Sequence, residues 1–142
     1  MSSITLYYTV HQPFDRIYLS LLDFKQFGQL HPYMKSVEIV NQSEHAIEYL
    51  VHEKLKLWGF TPIAPCYKAT ITEVEKNKHI RYWSEVQKGL FLTIDFTFKT
   101  YAENTSTEVY EQIALKGTPW VHTIFLSILK KSHRHIFKVL QK

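Results

Sequence analysis

The sequence has a single cysteine, Cys66, in a chain of 142 residues. One cysteine excludes an intramolecular disulfide framework and fits a reducing compartment. The sequence also lacks an N-terminal apolar segment of the secretory type, and no apolar run reaches about 18 residues. Neither secretion nor membrane spanning is indicated, so we expect a soluble cytoplasmic domain without integral membrane association.

Concentrated charge of one sign is also missing. The formal net charge is +4 and the isoelectric point is near 9.1. No block of about five like charges occurs, however, and the densest cluster is "KKSHRH" at residues 130–135. Nucleic-acid-binding domains usually carry a more focused basic stripe. The charge pattern therefore argues against a nucleic-acid partner.

Aromatic residues are abundant, at 15% of the chain. They supply more bulky apolar surface than a small core needs, which suits either a structure that lines a cavity or an aromatic-rich β core. The length is typical of one domain with one sizeable core, and we find no internal repeat or linker. We therefore expect a single domain over residues 1–142.

Apolar periodicity predicts the order of the elements. "ITLYYTV", residues 4–10, alternates as a half-buried strand does. Two short helices follow, one beginning near Pro13 and one capped by Asp23. Pro32 blocks continuation of the second helix past His31. Between residues 34 and 117 alternation predicts a run of strands, with Asn77 in a left-handed turn.

The last part of the chain predicts one long amphipathic helix. It is expected to begin with Thr118 as its cap and Pro119 at its first position. Its apolar stripe follows the 3.6-residue period at Val121, Ile124, Phe125, Ile128, Ser132, Ile136, Val139 and Leu140. One-sided antiparallel strands plus such a helix predict an α+β fold in which a curved sheet wraps around the helix.

This layout resembles the helix-grip fold of the START-like (SRPBCC) superfamily, which includes polyketide cyclase/dehydrase-like and birch-pollen-allergen-like proteins. The most telling segment is "VHQPFDRIYLSLLDFKQFGQLHPYMKSVEIV", residues 10–40. The resemblance implies about seven strands and a deep, largely apolar cavity between the sheet and the C-terminal helix, which binds hydrophobic or amphipathic small molecules. Some such proteins are cyclases, aromatases or hydrolases, and others only carry or sense ligands. No residue here matches a catalytic signature of the superfamily.

Two carboxylates fall on the apolar face of predicted strands. Alternation places Glu53 with Tyr49 and Val51, and it places Glu111 with Val109. A carboxylate on an apolar face is costly unless it is paired, protonated or hydrated. These residues could orient the polar end of a ligand or act as a general acid or base with a raised pKa. Alternatively, one of them lies near a strand end or a bulge and points to solvent.

The strand "IRYWSEV" has two mixed faces. We favour the register in which Tyr82 and Ser84 face inward and add hydroxyls to the cavity wall. The opposite register would place Arg81 and Trp83 inside, and an inward Arg81 would suggest an anionic ligand.

Histidines and the cysteine offer weaker candidates for chemistry. His31, His52, His79 and His122 have no metal-binding spacing, and His133 and His135 are two residues apart on a helix and cannot hold one ion. We expect one of that pair on the solvent face beside Lys130, Lys131 and Arg134. His31 is interpreted as a structural corner, and nothing local activates Cys66. The loop "GFTPIAP" before Cys66 is either a gate to the cavity or a stiff connection.

The sequence thus predicts a domain that binds a lipid-like or polyketide-like molecule, with no metal and no cofactor, as a monomer or weak homodimer. One alternative is a cyclase or hydratase that uses Glu53 or Glu111 as a general acid or base. Another is an interaction module that acts through the basic end of the C-terminal helix. The predicted cavity residues are Tyr49, Val51, Glu53, Leu55, Tyr82, Ser84, Leu92, Ile94, Phe96, Val109, Glu111, Ile113, Ile124, Phe125 and Ile128.

Overall fold

The computed structural model describes residues 2–30, 34–53, 66–101, 105–117 and 122–140. In this part of the chain the order of elements matches the predicted one. The strands are β1 Ser2–Val10, β2 Met34–Gln42, β3 Ala46–Glu53, β4 Cys66–Glu75, β5 His79–Gln87, β6 Leu90–Tyr101 and β7 Ser106–Gly117. The helices are α1 Phe14–Leu22, α2 Phe24–Leu30 and α3 His122–Leu140.

All seven strands form one antiparallel sheet in the order β1-β7-β6-β5-β4-β3-β2. Consecutive strands from β2 to β7 are neighbours, and β1 completes the sheet beside β7. The α1–α2 segment therefore carries the chain from one edge strand to the other. This is the curved helix-grip sheet, with the long helix α3 at the end of the chain.

The alternating burial of side chains in the central strands shows which face of the sheet points to the core. On β5 Ile80, Tyr82, Ser84 and Val86 are buried, whereas Trp83 on the other face is exposed. The favoured register of this strand is therefore confirmed. The turn before it contains Asn77 with a φ of 64°, in the left-handed region as predicted.

The second short helix, α2, is fixed by a hydrogen bond at its N-terminus and by a close contact with strand β2. The carboxylate of Asp23 accepts a hydrogen bond from the backbone N–H of Gln26 at 3.3 Å, which is the predicted N-cap contact. In α2, Gly28 packs against Val37 of β2, and a Cβ atom on Gly28 would lie 2.5 Å from Val37 Cγ2. Pro32 and His31 lie outside the described residues.

Helix α3 buries a face that differs in part from the predicted one. The fully buried positions include Phe125, Leu129, His133 and Phe137, spaced four residues apart. Of the predicted stripe, Phe125, Ser132 and Ile136 are buried as predicted, whereas Ile124, Ile128, Val139 and Leu140 are only half-buried. The prediction was partly wrong because it left out His133, which is buried together with Leu129 and Phe137. Thr118, Pro119 and Val121 lie outside the described residues.

Candidate functional site

A cavity lies between the inner face of the sheet and α3. Its wall combines residues from α2, from strands β2 to β6 and from α3. The described lining residues are Phe24, Phe27, Met34, Glu53, Tyr67, Ala69, Tyr82, Ser84, Leu92, Ile94, Phe125, Ile128, Leu129 and His133. The cavity has a volume of about 40 Å³, which is room for about two or three water molecules.

Aromatic rings fill much of the space beside the cavity. The ring of Tyr82 meets Phe24, Phe27 and Phe96 edge-on at centroid distances of 5.1, 5.2 and 5.1 Å. The hydroxyl of Tyr82 donates a hydrogen bond to the backbone carbonyl of Leu21 at the end of α1. Tyr82 therefore lines the cavity with its ring, and its hydroxyl ties α1 to the sheet instead of facing a ligand as predicted.

Glu53 is the buried carboxyl group at the end of β3. Its Oε1 accepts a hydrogen bond from the hydroxyl of Tyr67 at 2.6 Å. Its Oε2 is buried and has no hydrogen-bond partner among the described residues. Burial raises the pKa of Glu53 to about 7, while the hydrogen bond from Tyr67 acts in the opposite direction. Glu53 therefore brings a buried carboxyl group, of which one oxygen has no partner among the residues described, to a largely apolar cavity wall.

Glu111 and His133 form a second polar group in the interior. Both side chains are almost fully buried, and Nδ1 of His133 shares a hydrogen bond with Oε2 of Glu111. The hydroxyl of Tyr8 donates to the other oxygen, Oε1, at 3.3 Å. The edge-on ring contact between Phe27 and His133, at 5.4 Å, packs one face of the imidazole. Glu111 thus fixes the orientation of an imidazole that lies on the cavity wall.

The predicted cavity residues divide into three groups. Those on the described wall are Glu53, Tyr82, Ser84, Leu92, Ile94, Phe125 and Ile128. Those that lie elsewhere are Tyr49, Val51, Phe96, Val109, Glu111 and Ile113, which are buried in the core, and Ile124, which is half-buried. Leu55 lies outside the described residues, as does the "GFTPIAP" loop. The buried members of the second group face the interior as predicted but do not line the cavity.

Two polar cavity residues were missed by sequence reasoning. Tyr67 could have been found from the alternation of Tyr67, Ala69 and Ile71 on β4, of which the latter two are buried. His133 could have been found from its four-residue spacing with Leu129 and Phe137. Of the "HRH" pair, His135 is exposed as expected for one member, but His133 is only 2% exposed. Positions two apart on a helix point about 200° apart, so only one can face the core.

His122 and His79 have structural partners. The ring of His122 contacts the hydroxyl of Ser2 at 2.7 Å and the carbonyl of Gly117 at 3.0 Å. His79 contacts Asp95, which also pairs with Arg81 on the outer face. Within the described residues no group of three or more metal-binding side chains comes together. Cys66 is exposed at the start of β4.

None of the described helices combines the length and the apolar character needed to cross a membrane.

Comparison with known proteins gives similarity in fold without similarity in sequence. No protein-family model matches this chain, and no curated protein matches it in sequence. Solved structures do match over nearly the whole chain. A START superfamily protein from Mycobacterium smegmatis has a TM-score of 0.72 at 13% identity, with 98% of this chain and 94% of that chain covered.

Two aromatase/cyclases are also similar in structure. The Zhui aromatase/cyclase from Streptomyces sp. R1128 has a TM-score of 0.74 at 10% identity, with 99% of this chain and 91% of that chain covered. The di-domain aromatase/cyclase StfQ of the steffimycin biosynthetic pathway has a TM-score of 0.75 at 14% identity, with 97% of this chain but 44% of that chain covered. At these identities the similarity establishes the fold, which is the START-like helix-grip fold.

Proposed function

We propose that this protein binds a hydrophobic or amphipathic small molecule in the cavity between the sheet and α3. The observation that carries the proposal is the buried Oε2 of Glu53, which has no hydrogen-bond partner among the described residues and belongs to a side chain on a largely apolar wall. A buried polar atom without a partner is costly, and a bound hydroxyl or carbonyl group would remove that cost. Ligand sites typically have this composition, in which a few polar groups stand among apolar side chains.

The similarity to START-like proteins and aromatase/cyclases supports the same proposal, because their fold places a sheet and a long helix around one interior space. The size of the cavity limits which molecules can bind. At about 40 Å³ it admits no molecule as large as a lipid unless side chains on its wall move. Phe24, Phe27 and Phe125 are the phenylalanines on that wall, and a larger ligand would require side chains such as these to move.

Titration with 1-octanol, followed through the methyl signals of the protein, tests the proposal. We expect shifts at Leu92 and Ile94 on the cavity wall and none at the exposed Leu19 and Ile39. The variant Glu53→Gln should weaken binding by a few-fold, because an amide replaces one hydrogen-bonding carboxyl group of similar shape. Shifts confined to the exposed side chains, or absent, would refute the proposal.

The matched control for that variant is Glu48→Gln on the same strand. Glu48 pairs with Lys68 at 3.6 Å on the outer side of the sheet, away from the cavity wall. An exposed ion pair of this kind contributes little to stability. Octanol binding should therefore be the same in Glu48→Gln as in the unaltered protein.

A second candidate function is proton-transfer catalysis of the kind a cyclase uses. The observation that favours it is the pKa of Glu53, which burial raises to about 7. A carboxyl group with such a pKa can both accept and donate a proton near neutral pH. In that role, Glu53 would remove a proton from the carbon next to a carbonyl group and return one to the resulting enolate.

Exchange of carbon-bound hydrogen for deuterium distinguishes the candidates. In D₂O, catalysis predicts exchange at the carbons beside the carbonyl of 2-octanone, with a rate that rises with pH through about 7 as Glu53 loses its proton. Glu53→Gln should abolish that rate, and Glu48→Gln should not change it. Binding without exchange in the unaltered protein would exclude this chemistry on 2-octanone and leave the binding function.

A further inference from the structure

The hydrogen bond between Tyr67 and Glu53 makes the two oxygens of the carboxyl group unequal. The hydroxyl group of Tyr67 on β4 donates to Oε1 at 2.6 Å, whereas Oε2 is buried and has no partner among the described residues. The strand register explains the contact, because Tyr67 lies directly opposite Val51, two residues before Glu53 on β3. The inner face of the sheet thus brings a hydroxyl group to one of the two carboxyl oxygens.

Tyr67 remains a hydrogen-bond donor while Glu53 changes its charge. Burial raises the pKa of Tyr67 well above its usual value, and the adjacent Glu53 raises it further. A tyrosine hydroxyl has one proton to donate, and in this structure Oε1 receives it. A proton on Oε1 would compete with that hydrogen bond. The neutral carboxyl group of Glu53 is therefore expected to carry its proton on Oε2.

Other titratable side chains also line the described part of the cavity. Tyr82 on β5 stays neutral, because burial raises its pKa well above its usual value. His133 on α3 contacts Glu111 of β7. The described lining residues of α2, β2 and β6 do not titrate; they are Phe24, Phe27, Met34, Leu92 and Ile94. An experiment on Glu53 must therefore separate its charge from that of His133.

We infer that Tyr67 and Glu53 together select the ligand by its hydrogen-bonding group, because Oε2 donates to a carbonyl or hydroxyl oxygen when Glu53 is neutral and accepts only from a hydroxyl group when Glu53 is ionised. This inference rests on the proposed function and adds to it the class of ligand and the residue that determines it. Since Oε2 is buried, a ligand reaches it through the same side-chain movement that any molecule larger than the cavity requires.

The two states of Glu53 distinguish alcohols from ketones. A hydroxyl group both donates and accepts, so an alcohol can bind either state. A ketone oxygen only accepts, so a ketone is matched to the neutral state alone. The cavity is therefore a site for neutral alcohols throughout the titration of Glu53, and for ketones only on its acidic side.

The pair 2-octanol and 2-octanone tests the inference, because the two molecules share one carbon skeleton. At about pH 5, well below the pKa of Glu53 of about 7, both should bind with similar affinity. At about pH 9 the ketone oxygen would meet a buried carboxylate, so the ketone should bind on the order of 10- to 100-fold more weakly than the alcohol. Calorimetric titration of the unaltered protein at intermediate pH values locates the change in this ratio, which we expect as the pH rises through about 7.

The variant Glu53→Gln should make the ratio independent of pH, since glutamine does not titrate. Glu48→Gln, on the same strand and in an ion pair with Lys68, is the control and should keep the full pH dependence. A ratio that still changed with pH in Glu53→Gln would assign the effect to His133 or to another group, and the inference would be wrong.

The variant Tyr67→Phe tests the positioning role of the tyrosine. Its hydrogen bond lowers the pKa of Glu53, so its removal should move the change in ratio to higher pH. Tyr7→Phe also removes a hydrogen bond from a tyrosine to a glutamate, Glu108, but at an exposed site, and it should not move that pH. A merely structural Tyr67 would change both affinities and leave the pH of the change where it is.

A measurement on the unaltered protein covers the case in which the cavity variants do not fold. With ¹³C-labelled glutamate, the side-chain carboxyl signal of Glu53 reports its ionisation. Saturation with 2-octanone should raise the midpoint by about one to two pH units, which corresponds to the expected 10- to 100-fold preference for the neutral state, and 2-octanol should raise it less. An equal ratio of affinities at every pH, or equal midpoints with both molecules, would overturn the inference alone. Failure of both molecules to bind at any pH would overturn the proposed function with it.

Discussion

Glu53 is a buried carboxyl group of which only one oxygen has a hydrogen-bond partner in the described part of the chain. One oxygen is bonded to Tyr67 and the other has no described partner, although the side chain is only 9% exposed. Such a group lowers the free energy of unfolding when it is ionised, because the charge must leave water on folding. Stability alone would favour an apolar residue at this position of the cavity wall, so Glu53 is better accounted for by the proposed binding function.

The pKa of Glu53 predicts a dependence of stability on pH. Its pKa rises from 4.5 to about 7 on folding, so the folded state binds the proton more tightly than the unfolded state. The resulting stabilisation is fully present below pH 4.5 and is lost as the pH rises through about 7. For a shift of this size the loss is about 3 kcal/mol. Urea unfolding at pH 4.5 and pH 8 measures it.

Glu53→Gln should reduce that difference in unfolding free energy by about 3 kcal/mol, since glutamine does not titrate. Glu48→Gln, on the same strand, should leave the difference as it is in the unaltered protein. If Glu53→Gln and the unaltered protein lost equal stability between the two pH values, Glu53 would not be the buried acid described above.

The Glu111–His133 pair predicts strong coupling between two buried side chains. Glu111→Leu removes the carboxylate that contacts the buried His133 and should cost about 3 kcal/mol or more of unfolding free energy. The double variant Glu111→Leu/His133→Leu removes both polar groups and should cost less than the sum of the single variants. Urea denaturation of all four proteins gives the coupling energy. Additive losses would mean that the two side chains do not interact.

At the scale of the elements, the alternation of apolar residues was sufficient to predict which face of a strand is buried. The 3.6-residue apolar period was not sufficient to predict the buried face of the long helix. On β6 the buried residues Leu90, Leu92, Ile94 and Phe96 follow the predicted period of two. On α3 the buried face includes His133, which a count of apolar residues alone omits, although it has four-residue spacing with Leu129 and Phe137. A helix face can rotate by one position with little change in its apolar count, whereas a strand offers only two faces.

The contact between α2 and β2 depends on a glycine. A Cβ atom on Gly28 would lie 2.5 Å from Val37 Cγ2, and valine is too stiff in a strand to move aside easily. Gly28→Ala should therefore lower the unfolding free energy by about 1 to 3 kcal/mol, although alanine is the better helix former by about 1 kcal/mol. Chemical denaturation measures this change.

The variant Val37→Ala tests whether the contact with Val37 is the cause of that loss of stability. It removes the methyl group that the new Cβ would meet, so Gly28→Ala should cost less in the Val37→Ala background than in the unaltered protein. An equal cost in both backgrounds would place the origin of the effect elsewhere in α2.

At the scale of the whole molecule, the sequence was enough to predict the fold and part of the candidate site. The order of elements and the inward Glu53 and Glu111 follow from local patterns. The pairing of Glu111 with His133 does not, because it joins β7 to α3 through three-dimensional packing. The same holds for the size of the cavity, which is set by how Phe24 and Phe27 of α2 pack against the sheet.

The central claim, that the cavity holds a small molecule, is tested most directly by native mass spectrometry of the protein purified from its own source. The variant Ala69→Val adds methyl groups to the cavity wall and so reduces the cavity volume. The control variant, Ala114→Val, adds the same groups on the other face of the sheet. We predict one bound molecule per chain in the unaltered protein and in Ala114→Val, and none in Ala69→Val. An unaltered protein without a bound molecule, or equal occupancy in Ala69→Val, would contradict the account.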